Sequence, residues 1–137
     1  MNIIYEGFFV ANTLLTSLEK NIWYKHITTE FRPKITHEYL YGTEAIFEVT
    51  GYGNDGNNEG YSVKLIETDS EELKDIYNNI EVPHITLSVS ANGKPVNTAK
   101  LNFNPINASS VRLIIRTTFG GFNGKDVILD KEKIAWN

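Results

Sequence analysis

Apolar and aromatic residues gather in short runs along this chain, and the spacing inside the runs changes from one to the next. Ile3 to Val10 is rich in isoleucine and aromatics and predicts a strand. Leu14, Leu15, Leu18 and Ile22 then recur at helical spacing, which predicts a helix over about Thr13 to Lys20, capped by Asn12 or Thr13. Ile22 to Phe31 reads as a second strand, stopped by Pro33. Lys34 to Thr43 is polar and aromatic with no clear period. Two strands follow, Glu44 to Tyr52 and Gly60 to Glu67, joined by a hairpin loop rich in glycine and asparagine. Helical spacing returns at Leu73, Ile76, Tyr77 and Ile80, predicting a helix over about Ser70 to Asn79. Asp69, with Glu72 three residues later, reads as its capping box. Beyond Pro83 come a strand from His84 to Ser90, a turn at Asn92–Pro95 and an ambiguous stretch to Pro105. Strands at Val111 to Thr118 and Asp126 to Leu129 close the chain, with turn signals at Gly120-Gly121 and Asn123-Gly124 between them. Strands outnumber helices and the helices sit between strands, which is the pattern of a mixed α+β domain.

The helical pattern is followed by a strand twice, and both strands carry the same residues: His26-Ile27-Thr28 and His84-Ile85-Thr86. The triplets lie 58 residues apart, and the same shift aligns Leu15 with Leu73, Leu18 with Ile76 and Ile22 with Ile80. Each threonine falls two residues after its histidine and therefore on the same side of its strand. The chain holds three histidines, and two of them occupy this setting. A unit repeated at fixed register predicts two similar lobes that face each other, with the histidines meeting between them.

Two imidazoles across a phosphorus atom form an acid–base pair: one takes a proton from the nucleophile, the other gives one to the leaving oxygen. Thr28 and Thr86 can each donate a hydrogen bond to a non-bridging phosphoryl oxygen, where charge grows in the transition state. Glu30 and Tyr24 share the first histidine's face and Ser88 shares the second's; these are candidates to orient a histidine or to touch substrate. Lys94, in the turn after the second histidine strand, is a candidate phosphate contact. The scheme calls for no metal and no cofactor.

Composition narrows the partners. At 137 residues the chain is one domain by size, and the absence of cysteine removes disulfides and thiolate metal sites. A net charge of −4 argues against a broad phosphate-binding surface, so a small nucleotide or an RNA end is expected rather than duplex nucleic acid. No apolar run is long enough for a membrane span, and the N-terminus lacks the pattern of a signal peptide. A soluble cytoplasmic protein is expected.

Two tetrads, His26-Ile27-Thr28-Thr29 and His84-Ile85-Thr86-Leu87, resemble the signature of the two-histidine (2H) phosphoesterases. The stretch Gly93-Lys94-Pro95-Val96-Asn97-Thr98 is also similar to the loop that follows this motif in the cyclic phosphodiesterase domain of fungal-type tRNA ligases. The resemblance implies a bilobal α+β fold of two pseudosymmetric helix–strand lobes, with antiparallel sheets around a central cleft. It also implies metal-independent cleavage of phosphodiesters, with His26 and His84 as acid and base and Thr28 and Thr86 holding the phosphate. The substrates it implies are 2′,3′-cyclic phosphates, 2′-5′-linked oligonucleotides or, in some phages, cyclic nucleotide immune signals. The chain is shorter than is usual for the family, and its first tetrad ends in Thr29 where many members carry an apolar residue.

The remaining signals point to structure. Gly120 to Asp126 lacks the spacing of a phosphate loop, Asn54 to Glu59 lacks that of a calcium loop, and His37 has no second histidine at zinc-protease spacing. Arg112 and Arg116 share a strand face, and Phe119 and Phe122 read as packing residues. A module that sequesters a nucleotide without cleaving it is the competing reading from another class.

Overall fold

A computed structural model describes residues 2–10, 26–106 and 113–130. The described residues form eight strands, one α-helix and two short 3₁₀ turns. The strands are β1 (Tyr5–Val10), β2 (His26–Phe31), β3 (Glu44–Asn54), β4 (Asn58–Glu67), β5 (His84–Val89), β6 (Asn104–Pro105), β7 (Ile114–Phe122) and β8 (Val127–Ile128). The helix α1 spans Glu71–Asn78, and the 3₁₀ turns span Glu38–Leu40 and Pro95–Lys100. All strands belong to one antiparallel sheet in the order β2-β1-β7-β3-β4-β5, with β6 added beside β3 and β8 beside β7.

The sheet curls around an aromatic core. Phe8 on β1 and Phe47 on β3 are separated by β7, yet their ring centroids lie 4.9 Å apart, edge to face. Phe119 on β7 completes the group at 5.5 Å from Phe8. Each of these fully buried rings contributes roughly 1.5–3 kcal/mol over its exposed state. Leu73 of α1 is buried in the same core, and Tyr77 stands against Phe47. Ile27 and Ile85, the middle residues of the two triplets, are also fully buried there. The curl brings the end strands together: Cα atoms of β2 and β5 approach within 8 Å, so the sheet is nearly closed.

This corrects the expected α+β fold of two helix–strand lobes. β7 pairs with β1 along one edge and β3 along the other, so hydrogen bonding continues across the sheet and no break divides it into lobes. The first expected helix, Thr13 to Lys20, lies outside the described residues, as does the start of the first histidine strand. α1 forms as expected, but its cap is Ser70, whose Oγ accepts from the Leu73 N–H at 3.1 Å, rather than Asp69.

Gly120 and Gly121, expected in a turn, lie within β7. Glycine is needed there because neighbours fill the space. A Cβ on Gly121 would sit 2.4 Å from the Tyr41 hydroxyl, and one on Gly120 would sit 2.4 Å from the Ile128 carbonyl. The turn comes later, at Asn123–Asp126, where Asn123 Oδ1 accepts from the Lys125 and Asp126 amides. The ambiguous stretch before Pro105 is the 3₁₀ turn Pro95–Lys100 followed by β6. No helix among the described residues is long and apolar enough to cross a membrane.

Candidate active site

Because Ile27 and Ile85 face the core, strand alternation turns His26 and Thr28, and likewise His84 and Thr86, to the opposite face. All four are half-buried. Five successive antiparallel pairings lead from β2 to β5, so the two strands run in opposite directions where they approach.

The surroundings of the two triplets share one backbone pattern. Gly7 pairs with Thr28 on one side, and Gly60 pairs with Thr86 on the other. Each glycine follows a glutamate, Glu6 or Glu59, and a break in strand register falls at each Glu-Gly step. A third strand supplies another glycine to each row: Gly120 pairs with Gly7, and Gly53 pairs with Gly60. Directly paired residues share a sheet face, so each threonine has a side-chain-free neighbour beside it. Close backbone approach requires this. A Cβ on Gly7 would lie 2.4 Å from the Ile27 carbonyl oxygen, and one on Gly60 would lie 2.7 Å from that of Ile85.

Both glutamates are buried and held by a tyrosine. Glu6 has no exposed surface; its carboxylate accepts from the Tyr41 hydroxyl at 2.7 Å and the His37 amide at 2.7 Å, with His37 Nδ1 at 2.8 Å. Glu59 accepts from the Tyr52 hydroxyl at 2.5 Å and the Ser88 hydroxyl at 2.9 Å. Burial and then the Glu6 bond push the Tyr41 hydroxyl far above the ordinary tyrosine range, so it remains a donor at any working pH. Burial and then Glu59 raise Tyr52 in the same direction.

The two histidines differ in their immediate contacts. His84 Nδ1 lies 2.7 Å from the Val82 carbonyl oxygen. A carbonyl only accepts, so Nδ1 carries the hydrogen, and in the neutral ring Nε2 is left with the lone pair. Burial pulls the His84 imidazole below the usual histidine range, against the opposing effect of that bond. His26 stacks on Tyr5 at 4.5 Å between ring centroids, with Phe9 at 5.6 Å. Phe122 extends this aromatic face at 5.3 Å from Tyr5.

Thr86 donates to Thr98 Oγ1 at 3.0 Å, and Asn58 Nδ2 donates to the same oxygen at 3.0 Å. Asn58 Nδ2 also reaches the Lys94 carbonyl at 2.7 Å, so one amide anchors the Lys94 backbone beside Thr86's partner. The Lys94 side chain is exposed. The other candidates are placed less directly. Ser88 is fully buried with its hydroxyl on Glu59. Glu30 is exposed near the far end of β2, paired with Glu6. Tyr24 and Arg112 lie outside the described residues. Arg116 is exposed on the face of β7 turned from the core, and Phe119 is buried within it.

Sequence reading missed Glu6, Glu59, Asn58 and Thr98. The repeated Glu-Gly dipeptide was the available signal for the first two. No protein-family model matches the chain, and no curated protein sequence matches it.

Proposed function

We propose that this chain is a metal-independent phosphodiesterase of the two-histidine phosphoesterase kind, cleaving a small nucleotide phosphodiester between His26 and His84. The observation that carries this reading is the duplicate setting of the two His-Ile-Thr strands. Each threonine pairs with a glycine, each glycine follows a buried glutamate, and the two strands approach where the sheet nearly closes. A binding surface needs no such duplication, whereas in-line displacement at phosphorus needs one proton-transferring group on each side of the reacting atom. Strands running in opposite directions bring their histidines in from opposite ends, with Thr28 and Thr86 available to the phosphoryl oxygens between them. Thr86 would exchange its bond to Thr98 for one to substrate, a short rotation about χ1. Lys94, carried by the anchored turn, adds a mobile positive charge.

The substrate is a cyclic oligonucleotide signal of the kind degraded in phage immune evasion; the alternative is a 2′,3′-cyclic phosphate of an RNA end or mononucleotide. Incubation with a panel of both classes in EDTA, with products identified by mass spectrometry, tests the assignment. Turnover of one class that persists in EDTA supports it. A ligand retained unchanged after long incubation identifies a sequestering module instead.

A further inference from the structure

Beside Thr86 lie two fully buried polar side chains, Asn58 and Thr98, whose hydrogen bonds have a fixed direction. We propose that Asn58 and Thr98 are positioning residues for Thr86: a directed chain of hydrogen bonds from Asn58 through Thr98 frees the Thr86 hydrogen for a phosphoryl oxygen. The proposal rests on the phosphodiesterase reading above and adds to it two residues that touch no substrate.

A backbone carbonyl sets the direction. The Lys94 carbonyl oxygen lies 2.7 Å from the Asn58 amide and can only accept, so the nitrogen end of Asn58 faces it. That nitrogen has only hydrogens to offer, and its second one reaches Thr98 Oγ1 at 3.0 Å. Thr98 Oγ1 therefore accepts from Asn58 and keeps one lone pair and one hydrogen for its other neighbour, Thr86 Oγ1, 3.0 Å away. In the structure Thr86 donates across that distance. The same distance serves the reverse bond. As Thr86 turns its hydrogen to a phosphoryl oxygen, Thr98 turns its own to the Thr86 lone pair. Both hydroxyls stay paired, which matters in a buried place. Each bond polarises the next, so Thr86 donates more strongly as charge grows on the phosphoryl oxygen.

Local structure holds the chain in place. Asp55 Oδ1 accepts from the Asn57 amide at 2.8 Å and the Asn58 amide at 2.7 Å, fixing Asn58 at the start of β4. Gly93 lets the turn before Pro95 close on it, since a Cβ there would lie 2.8 Å from Asn58 Oδ1. Gly60, paired with Thr86, makes room for Thr98: a Cβ on Gly60 would lie 2.5 Å from the Thr98 Cγ2 methyl. Thr98 thus has a methyl against Gly60 and a hydroxyl in the chain, and substitution removes them separately.

Thr98→Val keeps the methyl and loses the hydroxyl, whereas Thr98→Ser does the reverse. Steady-state kinetics in EDTA with two probes, cyclic di-AMP and uridine 2′,3′-cyclic phosphate, read the effect on whichever is cleaved. Thr98→Val is expected to lower kcat by about three- to tenfold, the worth of one neutral hydrogen bond, with KM nearly unchanged. Thr98→Ser is expected to stay within about twofold of wild type, because the bond is kept. Thr86→Val should lose about 10²-fold, as a donor to the phosphoryl oxygen. Adding Thr98→Val to it should slow it no further, because Thr98 acts through Thr86. Circular dichroism confirms folding, and Thr98→Ala carries the same prediction as the valine variant if that one does not fold. Wild-type kcat in Thr98→Val, a serine variant as slow as the valine one, or losses that multiply in the double variant overturn the positioning role. Wild-type protein inert toward both probes contradicts the phosphodiesterase reading itself, an outcome distinct from any pattern among the variants.

Discussion

The β2–β1–β7 side of the sheet and the β5–β4–β3 side place the same backbone features in the same order and surround them differently. In both, a histidine and a threonine lie two residues apart opposite a glycine, and a buried glutamate precedes that glycine. On the first side the histidine is packed in aromatics and the glutamate holds His37 and Tyr41. On the second, the histidine is tied to a backbone carbonyl and the threonine to Thr98. The shared part is backbone geometry; on the proposed function it is what would place a phosphate. The unshared part is the set of side chains and carbonyls around each triplet.

The comparison can be broken most forcefully at the histidines. His26→Ala and His84→Ala should each lower turnover by about 10²–10⁴-fold while leaving the thermal midpoint near that of wild type, since neither ring belongs to the core. Activity assays beside thermal melts check this, and a large loss of stability in either variant would show that its ring supports the fold.

The glycines come next. Alanine at Gly7 or Gly60 drives a methyl into the carbonyl of Ile27 or Ile85, and each is expected to cost about 1–3 kcal/mol in urea unfolding. Comparable losses at both positions support the equivalence of the two sides. A neutral change at one of them denies it.

The buried glutamates sharpen the contrast. Tyr41→Phe leaves Glu6 one donor short in a fully buried place, and should cost about 1.5–3 kcal/mol. Tyr52→Phe, at a half-buried position where water can replace the hydroxyl, should cost less. Chemical denaturation of the two variants tests the order.

The smallest effect is a pH dependence on the second side. Burial lowers the folded-state value of His84 below the ordinary 6.5 of the unfolded chain. Its neutral form is therefore favoured by folding, so the associated stability is present above pH 6.5 and is lost as pH falls through the lower folded value. Thermal midpoints between pH 8 and 5 should fall less for His84→Asn than for wild type.

Which features were legible in sequence follows from how local their causes are. The histidine strands, the hairpin loop around Gly56 and α1 were readable, because alternation, turn residues and helical spacing act over a few neighbours. The buried state of Glu6 was not, since its partners lie 31 and 35 residues away and nothing beside it in sequence marks it as buried. His37 was set aside for lack of a nearby histidine, and its partner was this distant carboxylate. The Glu-Gly repeat escaped because it recurs at 53 residues while the triplets recur at 58, so one shift could not align both. The expectation of two lobes failed for a related reason: the helix–strand repeat was visible, whereas the pairing of β7 with both β1 and β3 that makes one sheet is not encoded in any local pattern.

The central claim is that His26 and His84 act on one phosphorus atom. A double-mutant cycle on single-turnover cleavage, in EDTA, of whichever substrate the panel identifies tests it most directly. Groups that act as a unit give non-additive losses. The prediction is that the double alanine variant is hardly slower than the slower single variant. Wild-type turnover in either single variant, or losses that multiply fully in the double, would contradict the claim.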